Sequence, residues 1–368
     1  MNTQELECLY KGFSLGRSLG EGANGKVRLA TYAKLNVPGD ALAAKLRVKG
    51  TNKVAIKIMP KRNEAEISNE FKAMRRAKGS ANIVEIYGKF NGIENTYLIM
   101  EFCHGGDLTN HLETVYKDSP YLSESKAKEY FRSIATGVKY CHDHGIAHRD
   151  LKFENVLVDR YGVVKLADFG SAEFPDHYPD GLLDTFIGTP SYMAPEVVLG
   201  YLDKGQAYDG YKADSWSVGI ILFKLLTGKQ PYAPLPWQLL YNLIQKKTFK
   251  QRLPADVNLT PECINLLGRL LDRDAKSRAS LQEILEHPWL KLEEVDEKKK
   301  NVPVKLMDEK RPLQVQKQSQ DVRAKNGNNA LNTLIVVKGK IVHRDERKPF
   351  RRAFYPNGHH FTPQEWWE

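Results

Sequence analysis

A glycine-rich run, Gly20-Glu21-Gly22-Ala23-Asn24-Gly25, constrains the fold more than any other feature because of the residues directly after it. A dinucleotide-binding turn with the same Gly-x-Gly-x-x-Gly spacing opens a helix after its third glycine. Here Lys26-Val27-Arg28-Leu29-Ala30 continues with the alternation of a strand. The run therefore predicts a β-hairpin whose exposed backbone N–H groups can approach phosphates, and it excludes a dinucleotide-binding fold.

Strand-like patterns dominate the first hundred residues, beginning near Phe13. Three further apolar runs are typical of strands: Lys53–Met59, Ile83–Gly88 and Thr96–Phe102. Residues 64–77 instead place apolar residues at helical spacing, which predicts one helix among the strands.

The connection between the second and third predicted strands is long. It spans 26 residues between Val27 and Val54, whereas a hairpin connection needs about two to five. We therefore predict an inserted segment at residues 34–49.

Helical patterns replace the strands after Asp107, and they are clearest at residues 123–144 and 213–227. The globular pattern stops near Leu290. Residues 291–330 are charged and poor in aromatic residues, as is typical of a linker. Strands first and helices afterwards predict an α+β fold.

The last segment, residues 331–368, is a tail that offers less information. The pattern of Leu334–Val342 is compatible with a short hairpin, but a solvated or partly disordered tail is the interpretation we favour. Arg351-Arg352 and Trp366-Trp367 are candidates for docking on the globular part or on an acidic partner.

Charge and cysteine content exclude several classes of protein. The formal net charge is +10, but the last 78 of the 368 residues contribute +6 of it, so the remainder shows no basic concentration typical of nucleic-acid binding. The four cysteines are dispersed without a C-x-x-C pair, which argues against a disulfide framework or a zinc ribbon.

The sequence predicts neither a secretory signal nor a membrane span. The acidic N-terminus does not resemble a secretory signal, and the chain has no apolar run of about 18 residues. We expect a soluble cytoplasmic protein without a membrane span. Lys298-Lys299-Lys300 would add the nucleus if it served as a signal, but acids flank it on both sides.

Motifs that carry chemistry come after the glycine-rich run in a fixed order: Val54-Ala55-Ile56-Lys57, then His148-Arg149-Asp150-Leu151-Lys152-Phe153-Glu154-Asn155, then Asp168-Phe169-Gly170, and finally Gly188-Thr189-Pro190 with Ala194-Pro195-Glu196. In this order and spacing they resemble the signatures of a eukaryotic protein kinase. The resemblance covers about residues 13–290.

The resemblance implies a two-lobed fold. A small strand-rich lobe at residues 13–101 and a helical lobe at 102–290 would hold ATP in the cleft between them. Residues 1–12 would be a lead, and residues beyond 290 an extension.

The resemblance also implies roles for the motif residues. Lys57 would hold the α- and β-phosphates and pair with a helix glutamate. Counting back from Asn82-Ile83-Val84 favours Glu70, and Glu66 one turn earlier is the alternative. Asp168 and Asn155 would hold Mg²⁺ through oxygen ligands. Asp150 would accept or orient the proton of the substrate hydroxyl, and Lys152 would lie against the γ-phosphate.

Further contacts with ATP are implied in the glycine-rich strands and in the hinge between the lobes. They are Leu19, Gly20, Gly22, Gly25, Val27, Glu101, Cys103 and Asp107. The backbone of Cys103 would bind adenine, and Met100 would gate the pocket behind it, with plain strand core as the other reading of Met100. Packing is the other role open to the cysteines.

Two classes of function remain open. One is an active enzyme, because Lys57, Asp150 and Asp168 are all present. The other is a pseudokinase that binds nucleotide as a scaffold, and an ATPase assay discriminates between them.

Lys152 and Gly188-Thr189-Pro190 resemble serine/threonine kinases rather than tyrosine kinases. Phe153 occupies a position where the family usually has proline.

The chain is most similar to the calmodulin-dependent, AMP-activated and checkpoint kinase branch, through Gly105-Gly106-Asp107-Leu108 and Gly219–Gly228. Asp107 and Glu154 match acidic positions that receive basic substrate residues N-terminal to the phosphosite. Lys224 replaces an acid of the strongly basophilic relatives, so we expect a moderate basic preference. Ribose contact and surface charge are the other readings of the two acids.

Other positions resemble structural or regulatory sites. Asp214 would anchor the catalytic loop, and Arg278 would pair with Glu196. Thr185 matches the family's activating phosphosite, opposite Arg149, and an upstream kinase would modify it. The alternative is a polar loop residue, with Asp184 or Glu173 supplying the anion. Thr189 is the weaker candidate, because its hydroxyl is expected to bond Asp150 and Lys152.

Overall fold

A computed structural model describes residues 1–22, 25–36, 39–117, 121–202 and 206–291, together with the backbone of residues 335–337 and 340–342. Its helices are Thr3–Tyr10 (α1), Ala41–Val48 (α2), Glu64–Arg76 (α3), Leu108–Val115 (α4), Glu124–Asp143 (α5), Pro195–Leu202 (α6), Gly210–Thr227 (α7), Trp237–Lys246 (α8), Pro261–Leu270 (α9), Leu281–Leu285 (α10) and Pro288–Lys291 (α11). Its strands are Phe13–Gly22 (β1), Gly25–Tyr32 (β2), Lys53–Pro60 (β3), Ile86–Asn91 (β4), Asn95–Glu101 (β5), Gly106–Asp107 (β6), Val156–Val158 (β7), Val164–Leu166 (β8), Ile335–Val337 (β9) and Lys340–Val342 (β10).

The small lobe is built on an antiparallel sheet with the strand order β1-β2-β3-β5-β4. Its register places Lys57 of β3 between Val27 of β2 and Leu98 of β5. Helix α3 is amphipathic and buries one face that includes Ile67 and Met74. The sheet therefore brings Lys57 beside the second strand of the glycine-rich hairpin.

The large lobe is helical around α7. This helix is buried around most of its circumference, with Trp216 fully inaccessible to solvent. Asp209 caps its first turn through the backbone N–H groups of Tyr211 and Lys212, and Gly228 ends it in the left-handed region at φ 69°. The strand-rich small lobe and the helical large lobe confirm the predicted two-lobed α+β fold.

One predicted strand was partly wrong. Residues 83–88 do not form a continuous strand with the small-lobe sheet, because the strand begins only at Ile86. Ile83 forms a bridge with Leu166 instead, and the N–H of Val84 donates to the Leu166 carbonyl at 2.9 Å. Residues 82–84 therefore pair with β8 of the large lobe.

The segment before Phe13 is a helix, which the sequence analysis did not predict. Asn2 and Glu5 form a reciprocal capping box at its start. Glu7 accepts hydrogen bonds from the Ile93 N–H at 2.6 Å and the Tyr97 hydroxyl at 2.5 Å. Helix α1 is thereby attached to the β4–β5 hairpin.

The inserted segment contains helix α2. Asp40 caps it by accepting from the N–H of Ala43, and Leu42, Ala43 and Leu46 are buried. These three side chains belong to a second apolar cluster of the small lobe, separate from the main core. The insert is therefore a packed part of the lobe.

Two short strands, β9 and β10, pair antiparallel within the run that is compatible with a hairpin. The predicted linker beyond Lys291, the lysine run at 298–300, Arg351-Arg352 and Trp366-Trp367 lie outside the described residues. Among the residues described, no helix has the length and apolar character needed to cross a membrane.

Candidate active site

The lysine of strand β3 forms an ion pair with the glutamate of helix α3. Lys57 Nζ lies 2.6 Å and 2.8 Å from the two carboxylate oxygens of Glu70, and 2.9 Å from Oδ1 of Asp168. Glu66, the other candidate, is exposed on α3. Of the two glutamates, Glu70 is the one that faces the lysine.

Helix α3 is held in the position that this ion pair requires. Ile67, Glu70, Ala73 and Met74 share its buried face, since they recur at spacings of three and four residues. The Asn69 side chain donates to the carbonyl of Ala172 at 2.8 Å. This bond ties α3 to the segment directly after Asp168, a contact that the sequence analysis did not predict.

Lys57 is a buried amine with only 6% of its surface exposed. Burial lowers its pKa, but the negative charges of Asp168 and Glu70 outweigh burial and raise the pKa above the ordinary lysine value. The ammonium group is thus a fixed positive charge in the site. Asp168 keeps 44% of its side chain exposed, so one side of the cluster faces the open cleft.

A second cluster lies on the loop before β7. Lys152 Nζ is 2.7 Å from Oδ2 of Asp150, and the Thr189 hydroxyl donates to Oδ1 of Asp150 at 2.7 Å. Lys152 also donates to the Thr189 oxygen at 3.0 Å. Thr189 forms the two bonds expected of it, and its loop is thereby fixed against Asp150.

Asn155 completes this cluster. Its amide nitrogen donates to the backbone carbonyl of Asp150 at 2.8 Å and to Oδ2 at 3.2 Å. The Asn155 carbonyl accepts from the N–H of Ala167, the residue before Asp168, at 2.9 Å. Asn155 and Asp168 therefore lie on adjacent backbone segments, and the oxygen of the Asn155 amide is its remaining ligand atom.

Asp214 stabilises the loop that carries Asp150. It is fully buried, and its two oxygens accept from the backbone N–H groups of His148 and Arg149, each at 2.8 Å. Arg149 has φ 64°, which is uncommon for a residue other than glycine. The two bonds from Asp214 stabilise this backbone conformation directly before Asp150.

Glu196 and Arg278 form a bidentate ion pair in the large lobe. The two guanidinium nitrogens lie 2.6 Å and 2.9 Å from the carboxylate oxygens. Arg278 is fully buried and donates also to the carbonyls of Asp272 and Lys212, each at 2.8 Å. The pair links α6 to the loop between α9 and α10.

The glycine-rich strands leave open space above the cleft. Leu19 and Val27 pack at the edge of the main core. A Cβ placed on Gly20 or Gly22 would meet no atom within 4 Å, whereas Gly25 at φ 145° approaches the backbone of β3. Close contact with neighbouring protein atoms thus explains why a glycine is needed at position 25, but it does not explain Gly20 or Gly22.

The hinge comes directly after strand β5. Met100 is buried opposite Ala55, so strand core and gate are both compatible with its position. Cys103 is 5% exposed, and burial raises the pKa of its thiol. Asp107 caps α4 by accepting from the N–H of Asn110 at 3.0 Å, a role that an Asp directly before a helix could have suggested.

Glu101, at the start of the hinge, has partners that the sequence analysis missed. Its carboxylate lies 2.8 Å from Lys49 Nζ of the insert and 3.1 Å from Lys165 Nζ of β8. The hinge is therefore attached through this side chain to both the insert and the large lobe.

Arg149 contacts the segment that contains the predicted phosphosite. Its guanidinium donates to the Thr185 hydroxyl at 2.6 Å, to the Thr185 carbonyl at 3.1 Å and to the Ser171 carbonyl at 2.7 Å. Glu173 lies 3.8 Å away, and Asp184 is exposed. Of the two alternative anions, Glu173 is the one near Arg149.

Aromatic side chains hold the same segment from the other side. The Phe186 ring lies between Tyr201 and Tyr208, and the absence of a side chain on Gly200 leaves room for it. The Tyr201 hydroxyl donates to the Phe186 carbonyl at 2.8 Å. Tyr201 also stacks on Trp237, with ring centroids 4.2 Å apart.

Comparison with known proteins agrees with this geometry. The family described as Protein kinase domain matches residues 13–290. The chain is 36% identical over 292 residues to CBL-interacting protein kinase 33 of Oryza sativa subsp. japonica, covering 79% of this chain and 59% of that protein. It is 33% identical over 295 residues to CBL-interacting serine/threonine-protein kinase 7 of Arabidopsis thaliana, covering 78% and 62%.

An animal relative is similar to the same extent. The chain is 34% identical over 297 residues to Testis-specific serine/threonine-protein kinase 5 of Mus musculus, covering 78% of this chain and 77% of that protein. The chain covers less than two thirds of the length of the two plant relatives. The similarity to the plant proteins therefore concerns part of each of them.

Proposed function

Because this chain belongs to the protein kinase family, we propose that it transfers the γ-phosphate of ATP to serine or threonine hydroxyls of protein substrates. One observation carries the proposal: the Lys57, Glu70 and Asp168 cluster and the Asp150, Lys152 and Asn155 cluster are both assembled. Phosphoryl transfer depends on positioning and charge neutralisation, which these two clusters supply.

The residues present fit a nucleoside triphosphate. Gly20 and Gly22 leave space over the cleft that no protein atom requires, so backbone N–H groups can approach phosphates there. The Lys57 ammonium is held by two carboxylates, which orient it toward the same cleft. We propose that the hinge backbone near Glu101 and Cys103 receives the adenine.

The donor set also fits Mg²⁺. Asp168 offers a partly exposed carboxylate, and Asn155 offers an amide oxygen on the adjacent segment. Mg²⁺ in phosphate-transfer sites takes one or two protein oxygens and completes its shell with phosphates and water. When bound, the metal ion would neutralise phosphate charge.

Asp150 is the group proposed to receive the substrate hydroxyl. Lys152 and Thr189 bond its two oxygens and fix the orientation of the carboxylate. A carboxylate held in this way can accept the hydroxyl proton as the oxygen attacks the phosphorus. Lys152 provides a positive charge beside the transferred group.

A scaffold that binds nucleotide without transfer is the alternative function. It predicts that at least one of the three groups Lys57, Asp150 and Asp168 is missing or misplaced. All three are present, and Lys57 contacts Glu70 and Asp168 while Asp150 contacts Lys152. The geometry therefore favours the active enzyme.

Loss of Asp150 tests the proposal directly. We expect Asp150→Ala to reduce phosphate transfer to a serine and threonine peptide library by about 10²–10⁴-fold, because the proton acceptor is lost. ATP affinity, measured separately by calorimetry, should stay close to that of the unchanged protein. The exposed Asp256→Ala is the matched control. An equal loss of ATP affinity would mean that Asp150 supports the fold instead, and absence of transfer by the unchanged protein would favour the scaffold.

We also propose that phosphorylation of Thr185 by an upstream kinase activates the protein. The Thr185 hydroxyl already lies 2.6 Å from Arg149, so a phosphate there would add about −1.5 to −2 charge next to a guanidinium. Its ion pair with Arg149 would order the segment and the loop that carries Asp150.

The Thr185 proposal has a specific test. Mass spectrometry of active protein should find phosphate on Thr185, and Thr185→Ala should lower activity by about tenfold or more, since roughly two charge-assisted hydrogen bonds are lost. Thr114→Ala, another exposed threonine, is the control. Full activity of Thr185→Ala would assign the anion role to Glu173.

Substrate preference is proposed to be moderately basic. The charges of Glu154, Glu113 and Asp107 act on Lys224, whose ammonium lies 4.1 Å from the centroid of the Phe153 ring. Burial lowers the pKa of Lys224, and the charges of the three acids oppose that shift. The acids favour basic substrate residues near Asp150, while Lys224 weakens that attraction by its own charge.

A further inference from the structure

The inserted segment packs in the small lobe and contacts the hinge. We call residues 40–50 the strap. Its helix α2 is anchored in the small lobe by the buried side chains Leu42 and Leu46 and by the Tyr32 hydroxyl, which donates to Asp40 at 2.5 Å. The strap therefore moves with the small-lobe sheet.

The end of the strap is attached to the hinge. Lys49 Nζ lies 2.8 Å from Glu101 and 3.1 Å from Glu85, and Lys45 Nζ lies 2.9 Å from Glu85. The N–H of Glu85 donates to the second oxygen of Glu101 at 3.3 Å. These charges fix the carboxylate of the residue at which strand β5 ends.

The large lobe forms hydrogen bonds with the same end of the strap. Arg160, in the turn between β7 and β8, donates to the carbonyl of Gly50 at 3.2 Å and also to the carbonyl of Lys49. Carbonyls at a helix C-terminus carry partial negative charge and have no partner within the helix, so a guanidinium is a favourable donor there. Arg160 also packs on the Tyr161 ring, 4.8 Å from its centroid.

A second bond from the large lobe reaches the hinge residue itself. Lys165 of β8 lies 3.1 Å from Glu101 and donates to the Ala81 carbonyl at 2.9 Å. Glu101 thus forms one ion pair with a lysine of the strap and one with a lysine of the large lobe. The strap, the hinge and the β7–β8 turn form one connected network behind the cleft.

We propose that the strap restrains the opening of the two lobes, and that Arg160 is a positioning residue that acts through the Lys49 and Gly50 carbonyls on the hinge. A segment packed on one lobe and hydrogen-bonded to the other must lose those bonds when the lobes separate. Restrained opening slows hinge motion and the release of nucleotide. The nucleotide part rests on the proposed function, whereas the hinge part does not.

Arg160→Ala tests the proposal in two measurements. Hydrogen exchange of the hinge amides in residues 102–105, measured without nucleotide, should become faster. Dissociation of a fluorescent ADP analogue, followed by stopped flow, should become about three- to tenfold faster, because charge-assisted bonds between the lobes are lost. Arg160→Lys keeps the charge and should restore part of both effects.

Arg47→Ala is the matched control. Arg47 lies on helix α2 of the strap and is exposed, and its guanidinium donates to the Leu35 carbonyl within the small lobe. It should leave hinge exchange unchanged. Equal hinge exchange in Arg160→Ala and the Arg47 control would overturn the proposal.

Two further outcomes separate the parts of the inference. Faster hinge exchange with an unchanged ADP dissociation rate would overturn the link to nucleotide release. Failure of the unchanged protein to bind the ADP analogue would contradict the proposed function, while the exchange measurement would still decide whether the strap restrains the hinge.

Discussion

Two ion pairs, each with a buried cation, have nearly the same geometry and different surroundings. Lys57–Glu70 and Arg278–Glu196 each have a shortest N–O distance of 2.6 Å. The Nε and Nη1 groups of Arg278 also donate to backbone carbonyls, so its pair is closed. Lys57 uses its remaining contact on Asp168, which is 44% exposed, so its pair faces the cleft. The ion pair itself therefore does not distinguish a structural pair from a pair in a functional site. The distinction lies in whether the other contacts of the cation are with the protein interior or with a group exposed to the cleft.

The largest effect is expected for the closed pair. Arg278→Leu should lower the free energy of unfolding by about 3–5 kcal/mol, because it leaves Glu196 without its partner. Chemical denaturation measures this loss, and specific activity of the folded fraction should change little. The double variant Arg278→Leu with Glu196→Gln should recover part of the stability. A single variant as stable as the unchanged protein would break the comparison.

The open pair should show its effect in activity. Lys57→Met should lower kcat/KM by about 10²–10³-fold, because a fixed positive charge near the phosphates is lost. Stability should fall less than for Arg278→Leu, since burial raises the pKa of Glu70 and lets it take up a proton once Lys57 is absent. A stability loss equal to that of Arg278→Leu, with unchanged activity, would assign both pairs the same role.

Lys224 extends the comparison to a cation that is only partly buried and, among the described residues, has no close carboxylate partner. It faces an aromatic ring, and its neighbouring acids lie at longer range. Lys224→Glu should increase the preference for a peptide with arginine N-terminal to the acceptor over its alanine counterpart by about three- to tenfold, as expected for a charge pair near the surface. Lys229→Glu, which is exposed beyond the end of the same helix, controls for net charge. Equal preference in the two variants would remove Lys224 from substrate recognition.

The sequence predicts most of the fold and of the site because those features are local. The run from His148 to Asn155 and the Asp168 motif are each continuous in sequence, and Glu70 lies within the helix that the spacing of Ile67 and Met74 predicts. Helix α1 was missed although its signal is present, since Asn2 and Glu5 have capping-box spacing.

Long-range contacts explain what the sequence could not predict. Lys49 and Glu101 are 52 positions apart, and Arg160 and Gly50 are 110 apart. Neither pair has a periodic or motif signal, because an ion pair between distant segments depends on how the lobes pack. Residues 83–85 were predicted as strand for the related reason that a short apolar run does not show which sheet it joins.

The stacking of Tyr201 on Trp237 gives the molecule an optical property. Tyr201 bonds the Phe186 carbonyl in the segment next to Thr185, and its ring covers the indole at 4.2 Å. A displacement of that segment therefore changes the environment of one of the five tryptophans of the chain. Difference emission spectra of the unchanged protein and Trp237→Phe isolate that indole, so the ordering of the segment can be followed by fluorescence without an attached label.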